Sequence, residues 1–193
     1  MVGMTSSSHT DSGHFHAVRF YEDDSSLCRI VSKFISEGFA TNQPALVITT
    51  APHIEGITRN LRNAGIDVDA LQRKGDLLFV DARDMLNEFM VNGQPDAQLF
   101  KASASRAIQQ VCGDRQRCTI RAYGEMVDLL WKDGLNDAAI KLEMLWNRLA
   151  NTRDFSLLCG YSMGSFYKDA SIEDITRQHT HIVTASGDAA AVA

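Results

Sequence analysis

The sequence predicts an α/β fold: three layers, with a mostly parallel sheet and helices on both faces. Three observations carry this. Strand-like and helix-like segments alternate from His16 onward. The runs ALVITT, DLLFVDA and FSLLCGY are short and apolar almost throughout, as strands covered on both faces are. The segments between them repeat apolar residues at helical spacing. At 193 residues the chain has the length of one domain with a full core.

The first strand is read as His16–Tyr21. The acidic turn EDDSS follows, where Asp24 or Ser25 suits a helix cap. Leu27, Ile30, Val31, Phe34 and Ile35 give the first helix its apolar face, and Gly38 ends it. The turn Asn42, Gln43, Pro44 leads to ALVITT, a βαβ unit with a right-handed crossover. Ile57 and Leu61 mark a helix over 54–64, closed by Gly65. The segment IDVDALQRKG connects it to the strand DLLFVDA. MLNEFMVNG reads as a helix ending at Gly93, and a helix over 97–112 shows Phe100, Ala104, Ala107, Ile108 and Val111 on one face. After the strand CTIRAY, the helix over 135–150 has the clearest stripe, from Leu135 through Ala138, Ala139, Leu142, Leu145 and Trp146 to Leu149. The strand FSLLCGY, a short helix over 171–177 and an edge strand HTHIVT complete the domain, 14–184. Residues 1–13 and 185–193, polar or small and aperiodic, read as disordered tails.

Composition narrows the function. No apolar run approaches the ~20 residues of a membrane helix, and the first residues have neither a basic nor an apolar region of a signal peptide. The expected location is therefore the cytoplasm. Lys+Arg total 19 against 24 for Asp+Glu, and Arg115, Arg117 and Arg121 are the densest basic stretch, which disfavours direct binding to nucleic acid. Cys28, Cys112, Cys118 and Cys159 form no CxxC pair and are expected to be reduced thiols.

The loop after the first strand is where a phosphate loop belongs. EDDSS has no glycine and no lysine. Its three carboxylates repel phosphate. No GxGxxG follows a strand either. GYSMG, 160–164, fits the nucleophile-elbow pattern letter for letter, with Asp169, Asp174, His179 and His181 following in the right order around Ser162. Too few residues remain after it for that hydrolase fold, and no HGGG oxyanion loop is present. His14 with His16, and His179 with His181, are each two residues apart on one face of a strand, so a metal site drawn from both pairs is conceivable. The reading assigns no metal ligand and names no cofactor.

In parallel α/β sheets the ligand crevice lies beyond the carboxyl ends of the strands. That rule selects Tyr21, His53 after ALVITT, Tyr123 and Glu125 after CTIRAY, and Cys159 and Tyr161 of FSLLCGY. Glu125 either bonds a ligand or caps the helix MVDLLW.

The ordered motifs HAVRFYEDD, FISEGFATNQPALVITTAPH, GDLLFVDA with FMVNGQPD, RAYGEMVDLLW, KLEMLWNRL and FSLLCGY resemble the MEDS domain, the methanogen/methylotroph sensory domain named after the regulator DcmR. RAYGEMVDLLW is the most distinctive. The resemblance covers His14 to Thr184. It implies a sensory role with hydrocarbon derivatives as ligands, in a family that often precedes histidine-kinase or DNA-binding domains. The chain looks like a stand-alone member whose output passes through a partner kinase or transcription regulator, and a homo-oligomer stays open. The family in turn is similar to RecA/KaiC-type cores without the Walker A loop. Where such cores carry a catalytic glutamate this chain reads Thr49, Thr50, Ala51, so the resemblance implies binding or signalling and no ATPase or other enzymatic activity. Carried over by motif, the site residues are His16, Tyr21, Arg121, Tyr123, Glu125, Cys159 and Tyr161, joined by His53 from the strand-end rule. Arg121 is expected to pair with Glu125 or with the Asp23–Asp24 turn. Trp131 and Trp146 are expected in the core. A ligand-free interaction adaptor is the alternative, with a hydrolase using Ser162 behind it.

Overall fold

The computed structural model describes residues 15–166 and 172–192. His14, Asp169 and the segment 1–13 lie outside the described residues. A seven-stranded sheet runs in the order β3-β2-β6-β7-β1-β8-β9. These strands are β1 (His16–Tyr21), β2 (Ala45–Thr49), β3 (Leu77–Asp81), β6 (Ile120–Gly124), β7 (Phe155–Ser162), β8 (His181–Val183) and β9 (Ala189–Ala191). Every pairing is parallel except β8 with β9. All five residues of β2 are buried, as its unbroken apolar run requires in a strand covered on both faces.

Helix α1 (Asp24–Ala40) returns the chain from β1 over β7 and β6 to β2. Its N-cap is Asp23, whose carboxylate accepts the Ser26 N–H at 2.7 Å. With α2 (Ala51–Asn63) and α3 (Val68–Lys74) it covers one face of the sheet, burying Leu27, Ile35, Ile57, Leu61 and Val68 with Ala17, Val47 and Tyr123. The other face carries α4 (Ala82–Phe89), α5 (Ala97–Cys112), α6 (Met126–Lys132), α7 (Asn136–Ala150) and α8 (Ile172–Thr176). Trp131 and Trp146 are buried there, as expected.

Four local expectations need correction. The helix MLNEFMVNG stops at Phe89; β4 (Met90–Val91) and β5 (Gln94–Pro95) then form a hairpin. Asn92 and Gly93 both have positive φ, 50° and 75°, the combination a tight two-residue hairpin turn requires. The connecting segment IDVDALQRKG contains a helix, α3, because the Asp67 carboxylate caps the Ala70 N–H and Gly75 closes the other end. The tail read from residue 185 is instead a turn and β9, antiparallel to β8. Finally, Cys112 and Cys118 are joined in a disulfide. Gly113, with φ 55°, ends α5 and the chain folds back, placing the two Cα atoms 5.7 Å apart, inside the span a disulfide bridges. Cys28 and Cys159 are free and buried.

Candidate functional site at the strand ends

The predicted residues separate into two buried groups on opposite faces of the sheet, with Arg121 in neither. Arg121 is the second residue of β6 and pairs in register with Ala45, the first of β2, so it sits at the amino edge. It donates to Gln43 Oε1 at 3.0 Å and Phe34 O at 3.3 Å, and its guanidinium lies over the Phe34 ring. Neither Glu125 nor Asp23–Asp24 is its partner; the nearest carboxylate is Glu37, at 3.6 Å. Three residues of strand, Ala122 to Gly124, separate it from Glu125 at the crevice.

The first group occupies the carboxyl edge. Glu125 follows β6 and is the N-cap residue of α6, yet its side chain makes no cap bond. It reaches across to β2 and α2 instead. Its Oε1 accepts the Thr50 N–H at 2.6 Å, and its Oε2 lies 2.6 Å from His53 Nδ1 and accepts the Tyr123 hydroxyl at 3.2 Å. Tyr123 lies flat over β7 only because residue 160 is glycine; a Cβ there would come within 2.6 Å of the phenol oxygen. Tyr21, at the end of β1, donates to Asp128 Oδ2 at 3.1 Å, while Asp128 Oδ1 accepts the Ser162 N–H at 2.9 Å and Lys132 Nζ stands 2.7 Å away. Burial lowers the basicity of His53, but the hydrogen bonds and charges of Glu125 and Asp24 outweigh it, and its pKa rises. Burial works to raise the pKa of Glu125; His53 and the Thr50 amide overcome it and hold the carboxyl below its usual range. Tyr21 and Tyr123 are both pushed up, by burial first and the neighbouring carboxylates second. At the strand ends, therefore, a histidine made more basic and a carboxyl made more acidic by their contact lie among phenols whose ionisation is opposed by burial and by the carboxylates. His53 Nε2 looks outward, 3.3 Å from Asp24, onto a cleft of about 260 Å³ between α1 and α2 that Ser25, Arg29, Arg59 and Asn60 also line.

The second group lies under α7. His16 of β1, Cys159 and Tyr161 of β7, Glu143 of α7 and His179 before β8 are all buried. His16 Nε2 is 3.3 Å from Cys159 Sγ and 3.2 Å from Glu143 Oε2. The Tyr161 hydroxyl donates to Glu143 Oε1 at 2.8 Å, and His179 Nε2 is 3.4 Å from the same oxygen. Burial would neutralise Glu143, but the charge of His179 and the hydrogen bond from His16 hold its pKa far below the usual carboxylate range. The Cys159 thiol is pushed well up, by burial and then by Glu143.

Glu143 and Asp128 complete these groups and were not selected from the sequence; His179, paired there with His181 as a conceivable metal ligand, is the third residue to join them. Glu143 had a signal: it stands four residues after Ala139 and three before Trp146, a charge on the apolar stripe of α7. Such a residue is buried only with partners. Asp128 likewise interrupts the apolar run Met126–Trp131 of a short helix. Among the described residues no histidine bonds the Ser162 hydroxyl, His179 facing Glu143 and His181 bonding Thr180.

Fold and strand-end site together define a mostly parallel α/β core with carboxylates at the bend that follows β1. A solved KaiC-like protein from the hyperthermophilic archaeon Pyrococcus horikoshii OT3 shares that fold, with a TM-score of 0.59 at 12% identity, over 87% of this chain and 70% of that one. The sequence pattern of the MEDS family, the methanogen/methylotroph DcmR sensory domain, matches residues 15–180, and the chain belongs to that family. No curated protein matches it. No helix among the described residues is long and apolar enough to cross a membrane.

Proposed function

We propose that this sensory domain recognises a small molecule, a functionalised hydrocarbon, in the cleft at the strand carboxyl edge, and regulates a partner histidine kinase or transcription regulator in the cytoplasm without hydrolysing ATP. The observation that carries the reading is His53. Its Nδ1 is held by buried Glu125 and its Nε2 faces the cleft. A ligand that hydrogen-bonds or displaces Asp24 from Nε2 acts on the same ring that ties α2 to β6 through Glu125. Signalling follows only if the ligand prefers one of two arrangements of α1 and α2.

The test is thermal unfolding against a panel of short alcohols, carboxylates, amines and halogenated hydrocarbons. Binding raises the melting temperature by mass action, about 2.7 kcal/mol at a hundredfold excess over Kd. The shift is expected to disappear in His53→Ala and to survive in Arg121→Ala. A chain that no panel member stabilises, yet that co-purifies with a kinase or regulator, is a ligand-free adaptor.

A further inference from the structure

The group under α7 has the composition and spacing of a metal centre. His16, Glu143, Cys159 and His179 each offer one ligand atom, and these atoms all lie within 4.8 Å of one another in a fully buried position. A four-coordinate zinc with bonds of ~2.0–2.3 Å places its ligands ~3.3–3.8 Å apart on the edges of a tetrahedron. The separations of His16 Nε2 from Cys159 Sγ (3.3 Å), of His16 Nε2 from Glu143 Oε2 (3.2 Å), of Cys159 Sγ from Glu143 Oε2 (3.6 Å) and of His179 Nε2 from Glu143 Oε1 (3.4 Å) sit at or near that range.

The hydrogen bonds around the group fix the tautomers. His179 Nδ1 is 2.7 Å from the Ile175 carbonyl, which only accepts, so Nδ1 carries the proton. Asn147 Nδ2 donates to the Gln178 carbonyl, which turns its Oδ1 towards His16 Nδ1 at 2.8 Å. His16 Nδ1 is therefore a donor as well. Both Nε2 atoms therefore face the space shared with Cys159 and Glu143, where a metal would take their lone pairs in place of a proton bonded to Glu143. His179 Nε2 is buried there, 3.4 Å from Glu143 Oε1. Each imidazole bonded to a backbone carbonyl or side-chain oxygen through one nitrogen, with the other pointing inward, is the outer-shell arrangement of metal-binding histidines.

We propose that His16, Glu143, Cys159 and His179 bind a first-row transition-metal dication, zinc being the best match to the two-nitrogen, sulfur and oxygen donor set. On binding, the Cys159 S–H bond and the bond to any proton held on the two Nε2 atoms break, those protons pass to solvent, and sulfur–metal and nitrogen–metal bonds form. Thiolate, carboxylate and dication then sum to zero charge, which a buried site favours. All four positions are filled by protein, so the centre is closed and joins β1, β7, α7 and the segment before β8 instead of activating water. The inference stands apart from the small-molecule reading, whose residues lie on the other face of the sheet.

The test uses the full chain. The isolated protein is expected to hold about one zinc per chain. After chelation, cobalt(II) should restore a thiolate-to-cobalt charge-transfer band and tetrahedral d–d absorption. Cys159→Ser should lose the charge-transfer band while Cys28→Ser keeps it. Asn147→Ala, which removes the bonds to His16 Nδ1 and to the Gln178 carbonyl but no ligand atom, should weaken cobalt binding by ~10–100-fold; an asparagine with no part in positioning the histidines would leave the affinity alone. Zinc-free protein whose chelated, folded form gives no sulfur-to-cobalt band, or a band indifferent to Cys159→Ser, overturns the proposal. Should Cys159→Ser fail to fold, zinc content and the band of the unaltered chain and of Cys28→Ser decide it.

Discussion

Glu125 and His53 make the strand-end site sensitive to pH in a direction the structure fixes. His53 has a raised pKa in the folded chain, so its contribution is complete below the unfolded value of ~6.5 and is lost as pH rises through the folded one. Glu125 has a lowered pKa; its contribution is complete above ~4.3 and is lost as pH falls through the folded value. The pair therefore stabilises most between about pH 4.3 and 6.5. Glu125→Gln keeps the shape and an acceptor but removes the charge. It is expected to cost about 2 kcal/mol inside that window, the gap to the unaltered chain narrowing on both sides. Melting curves of both proteins across pH check this, and a gap that stays flat with pH means the ring and carboxylate are not an ion pair. At this scale the sequence was legible wherever a polar residue ended a strand: Tyr21, His53, Tyr123 and Glu125 do converge. It misled at Arg121, because a residue's position along a strand, and not its membership of a motif, decides which edge it reaches. The strand-end rule was silent on faces, so it placed Cys159 and Tyr161 in one crevice with Tyr21, although their side chains pass to the opposite side of the sheet.

Elements were legible where period and length agreed. Strand β2 and helices α1, α5 and α7 stand where their apolar patterns put them, to within a few residues. The failures came where short-range turn chemistry overrode an apolar run: Asn92-Gly93 turned a helical pattern into a hairpin, and Asp67 with Gly75 made a helix from a connecting segment. Close approach between elements was not legible at all, and Gly160 is the clearest case. Gly160→Ala would set a methyl 2.6 Å from the Tyr123 oxygen and 3.3 Å from its ring. Tyr123 is pinned by Glu125, so the ring cannot swing away without releasing that carboxylate. A loss of about 1–3 kcal/mol is expected, together with a weaker response of the strand-end site to ligand. Gly164→Ala, whose Cβ would meet nothing nearer than the Ser162 hydroxyl at 3.7 Å, is the control and should stay within about 0.5 kcal/mol. Urea unfolding of the two variants separates them; equal stabilities would mean that β7 tolerates a side chain under Tyr123.

The whole molecule shares the fold of the KaiC-like protein, and carboxylates occupy its β1–α1 bend. A parallel sheet delivers the end of β1 and the start of α1 to the crevice, where free helix N–H groups are the natural anion site. Here Asp23 has already taken one of them: its carboxylate accepts the Ser26 N–H, and Asp24 turns towards His53. An incoming phosphate would have to expel a covalently tethered anion and then face Glu22 and Asp24 without a lysine. Coulomb repulsion between like charges about 4 Å apart is ~4 kcal/mol at the effective dielectric of a protein surface, more than one helix terminus returns. Magnesium–ATP, ADP and inorganic phosphate at millimolar concentration are therefore expected to leave the melting temperature unchanged and to show no phosphate release. A nucleotide that stabilises the chain, with the effect abolished by substitutions at the β1–α1 bend, would mean that the carboxylates hold a cation bridging to phosphate, and that the sheet edge still works as a nucleotide site.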